Sequence, residues 1–144
     1  NYHPENSHVI PALICRFHNA KINNLPKVIV WGTGKPRREF LYVDDMALAC
    51  IHLMNLDKKT YDNKTLAMSS HINVGSGTDL TIKEIALTIK EVVGFKGEID
   101  FDPRKPDGVL RKFLDSELIN NLGFKPKTSL KEGLVKTYQD YIQV

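Results

Sequence analysis

From Ser7 onward, Val9, Ile10, Leu13, Ile14 and Phe17 return at three- and four-residue intervals, the spacing of one helix face. The pattern predicts an amphipathic helix over roughly 8–20, with Ser7 as its N-cap and Pro11 confined to the first turn, where a missing N–H costs nothing. Lys27-Val-Ile-Val-Trp31 is a short apolar run rich in β-branched residues and reads as a strand, with a second brief strand over 38–43. Asp44 is expected to cap a helix that turns Met46, Ala49, Cys50 and Leu53 inward and fades near Leu56. The polar stretch from Asp57 to Ser70 reads as a connection, and His71-Ile-Asn-Val74 as a strand closed by Gly75-Ser-Gly77. Thr81-Ile-Lys-Glu84 is a capping box, and Ile82, Ile85, Ala86, Ile89, Val92 and Val93 continue one face as far as Gly94. Glu98-Ile-Asp-Phe101 reads as a strand, and Asp115 starts a short helix ending at Gly123. Ser129-Leu-Lys-Glu132 opens a final helix with Leu134, Tyr138, Tyr141 and Ile142 inward. Strands thus alternate with helices, an α/β pattern, without internal repeats and with strands too short for a large sheet.

Composition narrows the function classes. The 144 residues suffice to bury a core and to count as one domain. The net charge of +3 comes from 20 cationic side chains interleaved with 17 carboxylates, and no nucleic-acid-binding motif accompanies it. No apolar run approaches the ~20 residues of a membrane span, and no signal-peptide pattern opens the chain, so a soluble, cytoplasmic protein is expected. Cys15 and Cys50 sit in apolar helical patterns without metal spacing and are expected as core thiols in a reducing compartment. His3, His18, His52 and His71 likewise lack ligand spacing, so no metal is expected. The chain opens at Asn1 without an initiator Met, and is expected to be part of a longer protein.

Candidate chemistry concentrates in Trp31-Gly-Thr-Gly-Lys-Pro-Arg-Arg-Glu-Phe-Leu-Tyr-Val-Asp-Asp45, where an aromatic residue, a Gly-rich turn and Arg37 and Arg38 follow a strand. Planar guanidinium groups suit the diphosphate of a sugar nucleotide, and a flat ring suits its base or sugar. Trp31 alone, at a strand end, reads as a packing residue; beside Gly32, Gly34, Arg37 and Arg38, stacking on a ligand becomes nearly as well supported. Arg104-Lys-Pro-Asp-Gly-Val-Leu-Arg-Lys112 adds four cations and a carboxylate on a Pro/Gly-shaped loop. Neither Gly75-Ser-Gly77 nor Gly32-Thr-Gly34 is a dinucleotide fingerprint: position 80 is Leu, and Lys35-Pro36 and a strand follow the second. Asp44 and Asp45 are adjacent and point in different directions on a helix, so they form no carboxylate pair. From its own context, His8 reads as a surface or capping residue. No nucleophile–base pair has recognisable spacing.

Taken together, Asn1-Tyr-His-Pro-Glu-Asn-Ser-His-Val-Ile-Pro-Ala-Leu13, Trp31-Gly-Thr-Gly-Lys-Pro-Arg-Arg-Glu-Phe40, Val43-Asp-Asp-Met-Ala47, His71-Ile-Asn-Val-Gly75, Lys105-Pro-Asp-Gly108 and the Leu122–Leu134 ending resemble the C-terminal portion of the GDP-L-fucose synthases. These are extended short-chain dehydrogenases/reductases. The resemblance implies that residues 1–144 form an α/β, substrate-binding portion, with some elements packing on an NADP-binding Rossmann half. It implies a GDP-sugar substrate, GDP-4-keto-6-deoxy-D-mannose, epimerised at C3 and C5 and then reduced at C4 with NADPH. His8 matches the family histidine that serves as acid in epimerisation and lies near the cofactor. Arg16, Trp31 and Arg38 match substrate-contacting positions, and Asp107 and Lys112 fall in the loop expected to close over the nucleotide. The parent is expected to be a homodimer, with no nucleic-acid or membrane partner; the state of this chain alone stays open. G-x-x-G-x-x-G, the family's Ser/Cys pair and Tyr-x-x-x-Lys are absent from the sequence, so this polypeptide alone is expected neither to hold NADP tightly nor to turn over substrate. The alternatives are another nucleotide-sugar epimerase or dehydratase, and a non-catalytic sugar-nucleotide-binding module.

Overall fold

The computed structural model describes residues 2, 3 and 7–143. Of the family-like opening block, Asn1, Pro4, Glu5 and Asn6 lie outside the described residues, as does Val144. The element order is α1 (Val9–Ile22), β1 (Lys27–Trp31), β2 (Arg37–Glu39), α2 (Val43–Met54), α3 (Lys58–Lys64), β3 (Asp79–Thr81), α4 (Ile82–Val93), β4 (Glu98–Asp102), β5 (Arg111–Lys112), α5 (Glu117–Asn121) and α6 (Leu130–Gln143). This is a small α/β architecture. β1 and β4 pair in parallel, with Lys27 opposite Glu98 and Trp31 opposite Asp102, and β3, β2 and β5 form a three-stranded sheet in that order.

The chain divides into two compact units. The first comprises Asn1–Arg38, Leu80–Arg111 and Lys131–Val144. Its core is the apolar stripe of α1 (Leu13, Ile14, Phe17, Ala20) set against that of α4 (Ile85, Ala86, Ile89, Val93), with Val28 and Val30 of β1 beneath. Strict alternation along β1 puts Val28 and Val30 inside and leaves Lys27, Ile29 and Trp31 outside. Phe17 and Phe95 rings meet at 5.7 Å, a spacing suited to tilted aromatic pairs. The capping box of α4 forms: Thr81 accepts from the Glu84 N–H, and Glu84 accepts from the Thr81 N–H; Gly94 closes the helix in the left-handed region. Cys15 is half-buried with its sulfur 3.4 Å from the Tyr141 hydroxyl; hydrogen bonding to that sulfur, with burial, pushes the Tyr141 phenol up to about 12.

The second unit comprises Glu39–Asp79 and Lys112–Leu130. Its organisers are buried or half-buried carboxylates. Asp45, 2% exposed, accepts from the Lys127 and Thr128 N–H groups at 3.2 and 2.9 Å. Glu39 accepts from the Gly77 N–H at 2.8 Å and the Leu114 N–H at 2.9 Å, drawing two loops to one side chain.

Several expectations are corrected. The N-cap of α1 is His8, not Ser7, and it makes no side-chain cap bond. α2 is capped at Tyr42, with Asp44 in its first turn. Of its expected inward residues only Ala49 is fully buried, while Met46 and Cys50 are exposed and Leu53 is intermediate. The helix is apolar nearly all round, so periodicity could not choose its face. The polar connection contains α3, started by Asp57 accepting from the Thr60 N–H. Residues 71–74 form no strand; the strand lies later, at β3. Ile142 is 55% exposed.

Candidate functional site

In the first unit, α1 carries Arg16 to the end of β1. One guanidinium N–H donates to the Ile29 carbonyl at 3.3 Å, and the guanidinium carbon lies 4.9 Å from the Trp31 ring centroid. Trp31, the last residue of an alternating strand, is 52% exposed. Partial burial lowers the Arg16 pKa from its ordinary value, the signature of a cation losing water without gaining an anion. Beside the pair is a cavity of about 180 Å³ lined by Ser7, Val9, Ala12, Arg16, Trp31 and Ile82, among others. The Ser7 hydroxyl is buried and has no hydrogen-bond partner among the described residues.

The turn after β1 is fixed by the loop after β4. Gly32 N–H donates to the Asp102 carbonyl at 2.9 Å, extending the strand register by one residue. Asp102 holds Arg104 in a fork, at 2.8 and 3.0 Å, and its carbonyl accepts from the Lys105 N–H at 3.1 Å. Asp107 accepts from both the N–H and the hydroxyl of Thr33, each at 2.6 Å. Those bonds, with a smaller contribution from Lys35, hold its carboxyl below the usual carboxylate range. Gly32 has φ 81°, and a Cβ there would lie 2.2 Å from the Asp107 Oδ1, so both backbone hand and space demand glycine. Lys105 is thereby placed with its ammonium 5.1 Å from the Trp31 centroid. A Cβ on Gly108 would stand 3.6 Å from Arg38 Nη2, while Arg38 Nη1 donates to the Arg37 carbonyl at 2.7 Å.

One loop therefore brings Lys105 to Trp31, Asp107 to Thr33 and Gly108 to Arg38, and Arg16 meets Trp31 from α1. His8 is exposed at the start of α1, between the cavity-lining Ser7 and Val9. Lys112 ends β5, is exposed and belongs to the second unit. Sequence reasoning did not single out Lys105, Thr33 or Glu39. The Lys-Pro-Asp-Gly turn carried a signal for the first, because Pro106 and Gly108 fix where Lys105 and Asp107 emerge.

The family model described as "NAD dependent epimerase/dehydratase family" matches residues 1–75, and the chain belongs to that family. It is similar to the GDP-L-fucose synthase of Escherichia coli, at 54% identity over 99% of this chain and 44% of that protein. Among solved structures it resembles a GDP-D-glycero-L-gluco-heptose synthase from Campylobacter jejuni (TM-score 0.86, 33% identity, 99% of this chain and 49% of that one). It also resembles a GDP-L-fucose synthetase from Naegleria fowleri bound to NADP (TM-score 0.82, 27% identity, 99% and 42%). The chain spans less than half the length of each.

Proposed function

We propose that this chain is the substrate-binding, C-terminal portion of an NADP-dependent GDP-L-fucose synthase, which converts GDP-4-keto-6-deoxy-D-mannose to GDP-L-fucose in the cytoplasm as a homodimer. The observation that carries this reading is the gathering of Arg16, Trp31, Arg38 and the 104–108 loop in one unit, in a chain that matches GDP-L-fucose synthases along nearly its full length. The 4-keto group of such a substrate acidifies C3–H and C5–H. A base can remove each proton, and an acid on the other face can return one. His8 suits the acid's part: its ring is exposed and is not spent on capping α1. The same open helix start, with no acidic residue in its first turn, lets a cofactor approach His8. NADPH, when bound, supplies the hydride that reduces C4. Arg16, Trp31, Arg38, Asp107 and Lys112 serve the GDP-sugar.

The test uses Trp31, the single Trp of the sequence, as a reporter. Titration of the 144-residue chain with GDP, UDP and dTDP should change its emission at the lowest concentration for GDP. Equal response to all three would favour another nucleotide-sugar epimerase or dehydratase, and no response would remove the sugar-nucleotide reading. Arg38→Ala should weaken GDP binding by about 1.5–3 kcal/mol if its guanidinium makes a charged hydrogen bond to the ligand.

A further inference from the structure

We propose that the cleft between the two turns leading into β1 and β4 binds a small organic anion, a flat apolar body carrying one carboxylate. The inference does not depend on the sugar-nucleotide reading: the cleft opens before the first residues of β1 and β4, whereas Trp31 ends β1.

The two turns lie side by side because β1 and β4 run in parallel and α1 packs on α4. They close alike. After α1, the Leu25 N–H donates to the Ala20 carbonyl at 2.9 Å, and Asn24 takes the left-handed region at φ 51°. After α4, the Phe95 N–H donates to the Lys90 carbonyl at 3.1 Å, and Gly94 is left-handed at φ 75°. Each turn is also tied to the other. The Lys21 ammonium donates to the Val93 carbonyl at 2.7 Å, and the Glu98 N–H donates to the Pro26 carbonyl at 2.8 Å. A Cβ on Gly97 would lie 2.3 Å from that Pro26 oxygen, so only glycine permits the approach. Between the braced turns is a cavity of about 390 Å³. Its apolar lining is Ala20, Leu25 and Phe95, and its polar side chains are Lys21, Asn24 and Lys96.

The chemistry of that lining selects the ligand. Two cations line the cavity and no carboxylate does. Glu98, the next residue along, stands opposite Lys27 in the strand register. Lys96 forms no ion pair, and the Asn24 amide no side-chain hydrogen bond, among the described residues. Lys21 spends one N–H on the Val93 carbonyl and keeps two, and its charge offsets the negative C-terminal end of α4. The apolar part is equally defined. Ala20 and Phe95 are buried, the Phe95 ring is held against Phe17, and Leu25 stands 48% exposed beside them. An inorganic anion would meet the cations and leave Leu25 in water, and a neutral apolar molecule would leave the cations unused. An amphipathic anion satisfies both.

The experiment titrates the 144-residue chain with benzoate, benzamide and inorganic phosphate. Proton–nitrogen NMR follows the backbone amides of Gly94 and Gly97 and the side-chain amide of Asn24, and the dispersion of each spectrum shows that the variant is folded. Benzoate should shift these signals saturably. Benzamide, of the same shape without the charge, should bind about tenfold more weakly, having lost both cation contacts. Lys21→Met and Lys96→Met keep their apolar stems and should each weaken benzoate about threefold, the scale of an exposed ion contact. Lys96 holds no bond of the fold, so its variant carries the test if Lys21→Met does not fold. Leu25→Ser should weaken benzoate and leave phosphate unchanged. Absence of a saturable shift at these three signals overturns the site. Equal affinity for benzamide and benzoate, or unchanged benzoate affinity in Lys96→Met, overturns the anionic part of the proposal. Phosphate binding as tightly as benzoate overturns the apolar part.

Discussion

Asp107 illustrates how much one side chain can arrange. Its two hydrogen bonds from Thr33 depress its pKa, so the free energy they contribute is fully present above the ordinary carboxylate value of about 4 and is lost as pH falls through the depressed value. Asp102, lowered chiefly by its Arg104 hydrogen bond, titrates in the same direction and guards the other end of the loop. Acidification below about pH 4 should therefore free the 104–108 loop and move Lys105 off Trp31. An acid titration of Trp31 emission should show this transition, and Asp107→Asn should remove the part due to the Thr33 bonds. A titration curve identical in the variant would show that those bonds do not hold Lys105. None of this was legible in the sequence, since Thr33 and Asp107 are distant along the chain and become neighbours only when β4 pairs with β1.

Helix boundaries divide by the kind of signal that sets them. α4 was readable because its start, face and stop are all local: a capping box, an apolar stripe and a left-handed glycine. Thr81→Ala removes an acceptor for the Glu84 N–H and should lower stability by about 1 kcal/mol in urea unfolding. A loss near zero would mean that the packed face of α4 holds its first turn without the cap. α2 was misread in its cap and its inward face. Its residues are apolar nearly all round, and the buried anchor is polar: Asp45, chosen because two backbone N–H groups of the 127–128 segment need an acceptor. α3 was missed because its signal is a single N-cap aspartate in a polar stretch with no apolar stripe to confirm it.

Across the chain, apolar burial is unequal between the two units. The fully buried hydrophobic residues belong to the first unit except Ala49 and Ile119, among the described residues. The second unit is organised more by Glu39 and Asp45, and α2 leaves Val43, Leu48, Ile51 and Met54 exposed, the last at 83%. Backbone groups that rest on few buried contacts open more readily. Native-state hydrogen exchange should accordingly find the slowest amides in α1 and α4, and faster ones in α2 and α3. Equal protection across both units would show that the carboxylate-centred unit is as cooperative as the apolar one.

The α/β class, the helices α1, α4 and α6 and the strands β1 and β4 follow from local pattern, because a 3.6- or 2-residue alternation and a cap act over a few residues. The family kinship was equally legible, being carried by contiguous blocks such as the Trp31–Phe40 stretch. Local pattern also marked Trp31 and Arg38 as ligand-facing candidates, but not their partners. That Lys105 lies over the Trp31 indole, and that Asp107 is committed to Thr33, arises from the parallel pairing of strands far apart in the sequence, while Arg16 reaches the same ring through the packing of α1 on β1. Long-range pairing fixes such neighbours through backbone register, and no short stretch of sequence encodes register with a strand it has yet to meet.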